Sequence, residues 1–193
     1  MAEHNTGDPS LETRMVRAAK LEPGLYDEVN ADTSANTQAF FAVILSGVSL
    51  GIGLSVGIGL ETTSGVRLTD VDWGQFTLYL IGPVLGGIFF WLVWSLLAYW
   101  IGTTLIRREE TSATYVGVLR AVGFANSPGV LGFLSLLPYI GTIILLVVSA
   151  WVLVAEIVAL RQAIQLSTLR AIGVWALSML PFWAVNLVAW WLA

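Results

Sequence analysis

Apolar residues run almost unbroken through four stretches of the chain, Ala39–Leu60, Pro83–Ile106, Tyr139–Leu160 and Ala171–Leu192. Each is long enough to cross a hydrocarbon core of about 30 Å, which takes roughly 20 apolar residues as a helix. A fifth stretch, Tyr115–Leu137, is apolar apart from an interruption at "NSPG". The pattern predicts an all-α, polytopic membrane helical bundle of five transmembrane helices with the third one kinked. The polar residues 1–37 form a separate N-terminal tail, and residues 38–193 form the membrane domain. The first apolar stretch is not expected to be a cleaved signal peptide, because a long polar segment precedes it and it exceeds a signal core of roughly 7 to 15 residues.

The tail carries its own helical signals. Residues 1–9, "MAEHNTGDP", show no periodicity and read as mobile. Ser10 can cap a short helix with Glu12 in its first turn, Arg14, Arg17 and Lys20 along one face, Leu11, Met15 and Ala18 along another, and a stop at Pro23-Gly24. Such a helix is either solvated or laid on the cytoplasmic leaflet, where each base near an anionic surface gains about 1 kcal/mol. "PGLYDEVNADTSANTQAF" predicts a second short helical turn and a capped start to the first span at Asp32 to Ser34.

Basic residues orient the spans. With five crossings, Arg14, Arg17, Lys20, Arg107, Arg108, Arg120, Arg161 and Arg170 fall on the N-terminal side, and Arg67 alone falls opposite. The positive-inside bias therefore places the N-terminus inside and the C-terminus outside. Four crossings would separate Arg161 and Arg170 from Arg14 and Arg17. Trp73, Trp100, Trp190 and Trp191 lie near span ends, where amphipathic rings act as interfacial anchors.

"GVSLGIGLSVGIGL" in the first span resembles a nucleotide-binding glycine pattern, but no strand precedes it and the surroundings are apolar. In a membrane, Gly47/Gly51 and Gly53/Gly57 fit the small-residue spacing for close helix contact. Packing against the chain's own neighbours is expected ahead of a homodimer seam. The loop Glu61–Phe76 holds Asp70 and Asp72 beside Trp73, too few oxygens for calcium, which wants six or more. Gly82-Pro83 predicts a turn or kink before the second span, and Thr111 or Ser112 in "RREETS" can cap the third.

Two places set polar groups inside the apolar stretches. Pro128 lacks a backbone donor and clashes with the preceding turn, and Gly129 loosens the turn after it, so the third span should break near Asn126 and Ser127. Those two side chains can serve the freed carbonyls. A break at mid-depth is also how transporters build substrate sites. Glu156 lies five residues before Arg161, about 7 to 8 Å into the fourth span. Arg161 is about 140° away around the helix, so Arg120, which starts the third span from the same side, is the expected partner of Glu156. Arg161, Gln162, Gln165 and Arg170 form the following turn, with Ser167 as a cap for the last span. They are either snorkelling side chains or a cytoplasmic partner-binding face.

Composition narrows the activity. Of 193 residues, 56% are hydrophobic and 11% charged, against about 45 to 50% and 25% in soluble domains. The net charge of −4 offers no basic field for nucleic acid. Cysteine is absent and the single histidine, His4, is in the tail, so no thiolate chemistry, disulfide, histidine metal site or cofactor is expected. Ser127 has no histidine in the spans to act as its base, and Lys20 is remote in the tail, which argues against an enzyme.

The order of spans, and above all "LRAVGFANSPGVLGFL" followed by "AWVLVAEIVALRQAIQLSTLRAI", resembles the bacterial branch of the Yip (Ypt-interacting protein) domain membrane proteins over roughly residues 25 to 190. Arg120, Asn126, Pro128, Glu156 and Arg161 match the more characteristic positions of that family. The resemblance implies the fold and residence in a membrane, the cytoplasmic membrane if the cell is prokaryotic. Eukaryotic relatives work in vesicle traffic and associate with prenylated small GTPases through a tyrosine-containing tail motif, of which "PGLYDEV" keeps an echo. The leading expectation is a non-enzymatic protein that organises membrane or binds a partner through its cytoplasmic face. Its expected partners are the lipid bilayer and a protein or a second copy of itself. The alternative is a small transporter or channel with a polar path through Arg120, Asn126, Ser127 and Glu156.

Overall fold

Five long apolar helices dominate the chain, and a pair of short ones precedes them. The computed structural model describes residues 9–61, 73–106, 113–137 and 139–192, without the side chains of 57–61. The elements are α1 (Leu11–Ala19), α2 (Pro23–Ala31), α3 (Ala35–Glu61), α4 (Trp73–Thr104), α5 (Tyr115–Ala125), a 3₁₀ helix (Ser127–Leu136), α6 (Gly141–Ala163) and α7 (Thr168–Leu192). There is no strand among the described residues. Ala35–Val56, Trp73–Thr104, Tyr115–Leu136, Gly141–Ala163 and Thr168–Leu192 are each long and apolar enough to cross a membrane. The fold is an all-α polytopic bundle.

Local chemistry explains where the short helices start and stop. Ser10 caps α1 by accepting the Thr13 N–H at 3.3 Å. At the other end Leu21, in the left-handed region at φ 60°, donates to Ala18 O at 2.9 Å while Glu22 donates to Arg17 O at 3.2 Å. This paired closure ends α1 before Pro23-Gly24 is reached. Those two residues instead open α2, because proline at a first helical position gives up only a donor that has no partner anyway. Asp32 then accepts both the N–H and the hydroxyl of Ser34, at 2.8 and 2.7 Å, just before α3. The third span is capped by Thr114, which accepts the Gly117 N–H at 3.1 Å, rather than by Thr111 or Ser112, which lie outside the described residues.

The second span departs from expectation. No turn separates Gly82-Pro83 from the helix; Pro83 sits inside α4. One missing donor is tolerated in an apolar environment, where a turn would strip hydrogen bonds from several backbone groups at once. The third span breaks where the sequence puts Pro128. α5 ends at Ala125, and the ten residues Ser127–Leu136 wind as a 3₁₀ helix. Its greater rise, about 2.0 against 1.5 Å per residue, lets the combined segment reach roughly 36 Å with few residues.

α3 is the axis of the packing, against α4 on one side and the 3₁₀ helix on the other. A Cβ at Gly47 would stand 2.9 Å from Val84 Cα, and one at Gly51 would collide with the Leu80 carbonyl. At Gly53 it would meet Gly132 O and the Ser135 hydroxyl. Three of the glycines singled out in the sequence are thus occupied by contacts inside the chain, while the Gly57 side-chain position lies outside the described residues. Trp73, Trp100, Trp190 and Trp191 are all exposed, as interfacial anchors should be.

Candidate functional site

Three features carry polar chemistry in the bundle: a lock that holds the N-terminal hairpin, the break in the third span, and a cavity between the spans. The lock is built on Arg14. Leu25, Tyr26 and Val29 bury one face of α2, and Ala18 does the same on α1, so the hairpin seats against α5 and α6. That seating leaves Arg14 only 1% exposed. Its Nε donates to Glu28 Oε1 at 3.3 Å, Nη2 to Asp32 Oδ2 at 2.6 Å and Nη1 to Gln38 Oε1 at 3.0 Å. Arg17 pairs with Glu22 at 3.0 Å and with Glu28 at 2.7 Å. The basic face of α1 therefore points at α2 and the start of α3 instead of forming a lipid-facing strip. Glu28 and Asp32, one helical turn apart, draw both arginines inward; Lys20 stays exposed.

Further bonds tie the hairpin to the spans. The Trp151 indole on α6 donates to Ala19 O at 2.8 Å, and Gln162 at the end of α6 donates to Asp27 at 3.2 Å. Tyr26 gives its hydroxyl to Ala18 O at 3.2 Å. Burial, and behind it the Glu156 charge, pushes the Tyr26 phenol well above its ordinary pKa.

Arg120 belongs to this lock and not to Glu156. Its Nη2 donates to the Asn30 carbonyl at the end of α2 and its Nη1 to Asn36 Oδ1 at 3.3 Å. The negative end of α2 and the Asn36 amide thus replace the expected carboxylate partner. Nε of Arg120 is buried without a hydrogen bond. Glu156 turns instead to α7, where Oε2 accepts the Trp175 indole N–H at 2.8 Å. Sequence spacing places Arg120 and Glu156 at similar depth, but the hairpin occupies the side of α5 to which Arg120 points.

The hairpin lock should open in acid. The Ser34 hydroxyl first, then the Arg14 guanidinium and the Ser34 N–H, hold Asp32 below the usual carboxylate range against the opposing effect of burial. A depressed folded pKa contributes stability above the unfolded value of about 3.9 and loses it as pH falls through the folded value. Hydrogen–deuterium exchange of the α1 and α2 amides, measured at each pH and corrected for the intrinsic exchange rate, should lose protection only below about pH 4. Equal protection at pH 7 and pH 3 would contradict this linkage.

At the break, side chains from two spans take up freed backbone groups. Asn126 Nδ2 donates to Val122 O at 2.9 Å and the Ser127 hydroxyl to Phe124 O at 2.5 Å, as their positions in the sequence suggest. Two serines of α3 complete the set. Ser46 donates to Asn126 O at 2.6 Å, and Ser49 donates to Val130 O at 2.5 Å while accepting the Phe133 N–H at 2.9 Å. The glycines of this span advertise close packing, and the two hydroxyls lie three residues apart among them. Their shared helix face was the signal. Pro128 is buried and Gly129 meets Ser46 closely, so the break is a packed joint between two spans.

A cavity of about 500 Å³ lies between α3, α4, the 3₁₀ helix, α6 and α7. Its wall is mostly apolar, with Phe90 and Gly87 on α4; Ser46, Asn126, Ser149 and Glu156 contribute polar groups. Glu156 is 6% exposed, and no ion pair among the described residues reaches it. Trp175 forms part of the same wall.

The turn after α6 does not present its four polar residues as one surface. Gln162 faces Asp27, while Arg161 Nη1 donates to Thr168 Oγ1 at 3.4 Å. Gln165 adopts φ 57° and closes α6 through its bond to Gln162 O, with Leu166 donating to Arg161 O. Arg170 is exposed, and α7 starts directly after Ser167. Among the described residues no three acidic, histidine or cysteine side chains gather to hold a metal ion. Arg67, Asp70 and Asp72, the "RREETS" turn and His4 lie outside the described residues.

The family model described as Yip1 domain matches residues 25–193. It covers the spans, the break and the cavity, and it assigns no bacterial branch. Neither a curated protein nor a solved structure matches the chain.

Proposed function

The chain belongs to the Yip1 domain family, and from that premise we propose that this multi-pass membrane protein acts without catalysis, as a docking platform at its N-terminal, cytoplasmic face. The observation that carries the reading is the burial of Arg14 with three partners. A tail meant only to tether would gain nothing from that ordering, whereas a preformed hairpin lowers the entropy lost on binding a partner. Val16, 47% exposed on α1, offers an apolar contact point on this platform. A photocrosslinking residue at Val16 in native membranes should capture protein, and Arg14→Ala should abolish that capture at equal expression. Capture of lipid alone, or capture indifferent to Arg14→Ala, would remove the basis for the reading.

A second reading, a small transporter or channel, is favoured by one observation: the cavity touches both Asn126 and Glu156. Flux in reconstituted vesicles that Asn126→Leu eliminates would establish it; vesicles without flux would sink it. The satisfied hydrogen bonds at the break favour the platform, since a conducting path needs polar groups free to exchange partners.

A further inference from the structure

We propose that the cavity between α3, α4, the 3₁₀ helix, α6 and α7 is a binding site for a single-chain amphiphile with an ammonium head, the head resting on Glu156 and the alkyl chain lying along α6. The proposal is independent of docking at the hairpin.

Four observations place the ligand. The cavity, about 500 Å³, falls in the range of small-molecule sites, roughly 300 to 1,000 Å³. It follows α6 from Leu145 to Glu156, about 16 Å of helix at 1.5 Å per residue, so its long dimension suits an extended chain. Its wall is apolar over that length except at Ser149, and the Ser46 and Asn126 groups at the break are already bonded within the protein. At one end stands a carboxyl, nine-tenths buried, with Oε2 held by the Trp175 indole and Oε1 without a hydrogen bond among the described residues.

Charge then selects the head group. A buried carboxylate without a cation is costly, and Arg120, the basic side chain expected beside it, is committed to Asn30 and Asn36, while Arg14 and Arg17 pair with Glu22, Glu28 and Asp32. Tyr26, a titratable group of α2 that feels Glu156, gives its hydroxyl to Ala18 O. Trp175 can donate but carries no charge. An ammonium entering from the cavity would supply both the missing donor and the missing positive charge, in a site dry enough to make that pairing strong. An anionic head would meet Glu156 as a like charge.

The glycines of α4 provide a way to close the cavity without damaging the fold. A Cβ added at Gly87, on the cavity wall, or at Gly86, which is exposed beside it and outside the wall, would meet nothing within 4 Å. Either site accepts a larger residue, and each gains helix propensity from the change.

The test uses the full chain in phosphatidylcholine nanodiscs with a photoreactive dodecylamine, and photoreactive dodecanol as the uncharged comparison. Labelling of the wild type by the amine should saturate and map to α4 and α6 around Phe90 and Leu145. Glu156→Gln should raise the half-saturating amine concentration at least about ten-fold while leaving the weaker labelling by the alcohol unchanged. Gly87→Leu should abolish saturable labelling and Gly86→Leu should preserve it, which keeps the result readable even if Glu156→Gln fails to fold. Equal labelling of all variants means partition into the bilayer and overturns the proposal. Alcohol labelling as strong as the amine's would overturn the assignment of the head group.

Discussion

Arg14→Ala should detach the N-terminal hairpin and destabilise the protein by about 3 kcal/mol, the lower end of the range for removing one partner of a buried ion pair. The lower end applies because the acids left behind are not sealed in: the side chains of Glu28 and Asp32 remain 33% and 24% exposed. Three acceptors, on α2, at its C-terminal cap and on α3, lose their common donor, so the loss is not confined to α1. Arg14→Lys should recover little, since a single ammonium cannot hold three acceptors arranged around a planar fork. Thermal unfolding in detergent measures the stability, and the rate of tryptic cleavage after Lys20 measures the detachment. Wild-type values for Arg14→Ala in both assays would show that burial of Leu25, Tyr26 and Val29 holds the hairpin unaided.

Gly51→Ala should force apart the seam between α3 and α4, lowering stability by about 2 kcal/mol. The added carbon collides with the Leu80 carbonyl, which is backbone and cannot rotate away, so α3 and α4 must separate. Overpacking of this kind costs about 1 to 3 kcal/mol, and the gain in helix propensity recovers at most about 1. Gly82→Ala supplies the control. Nothing lies within 4 Å of a Cβ there, so the substitution should be neutral or stabilise by up to about 1 kcal/mol. Equal effects at the two sites, read by thermal unfolding, would mean that α3 and α4 are not in close contact.

Both predictions concern residues that the sequence marks for different reasons. Gly51 was legible, because small residues four apart in an apolar run have one principal use in a membrane. Arg14 was visible as a cation but misassigned. Its spacing with Arg17 and Lys20 describes one face of a helix, and periodicity cannot say whether that face meets lipid, water or protein. The deciding acids, Glu28 and Asp32, stand 14 and 18 residues further along. Bringing them to Arg14 takes the αL turn at Leu21, a residue type that carries no turn signal.

The break in the third span divides in the same way. Pro128 cannot continue an α-helix whatever surrounds it, so the interruption is a covalent property of the chain. Its conversion to ten residues of 3₁₀ helix depends on Ser46 and Ser49 reaching over from α3. That support comes from residues some 80 positions away. The case of Glu156 is sharper still. Depth and side of entry, read from the sequence, select Arg120, yet the two residues bond elsewhere.

Apolar length, the proline break, the small-residue seam and membership of a membrane class come from the order of residues, because each rests on a local property that lipid or backbone sterics enforces. Partner choice among the buried polar groups does not. Arg14, Arg120 and Glu156 each had several acceptors or donors within reach along the spans, and similar local chemistry made them equivalent on paper. Only the seating of the hairpin against α5 and α6, and of α7 beside Glu156, distinguishes among them, since a hydrogen bond is decided within fractions of an ångström and a helical pattern is decided over whole turns.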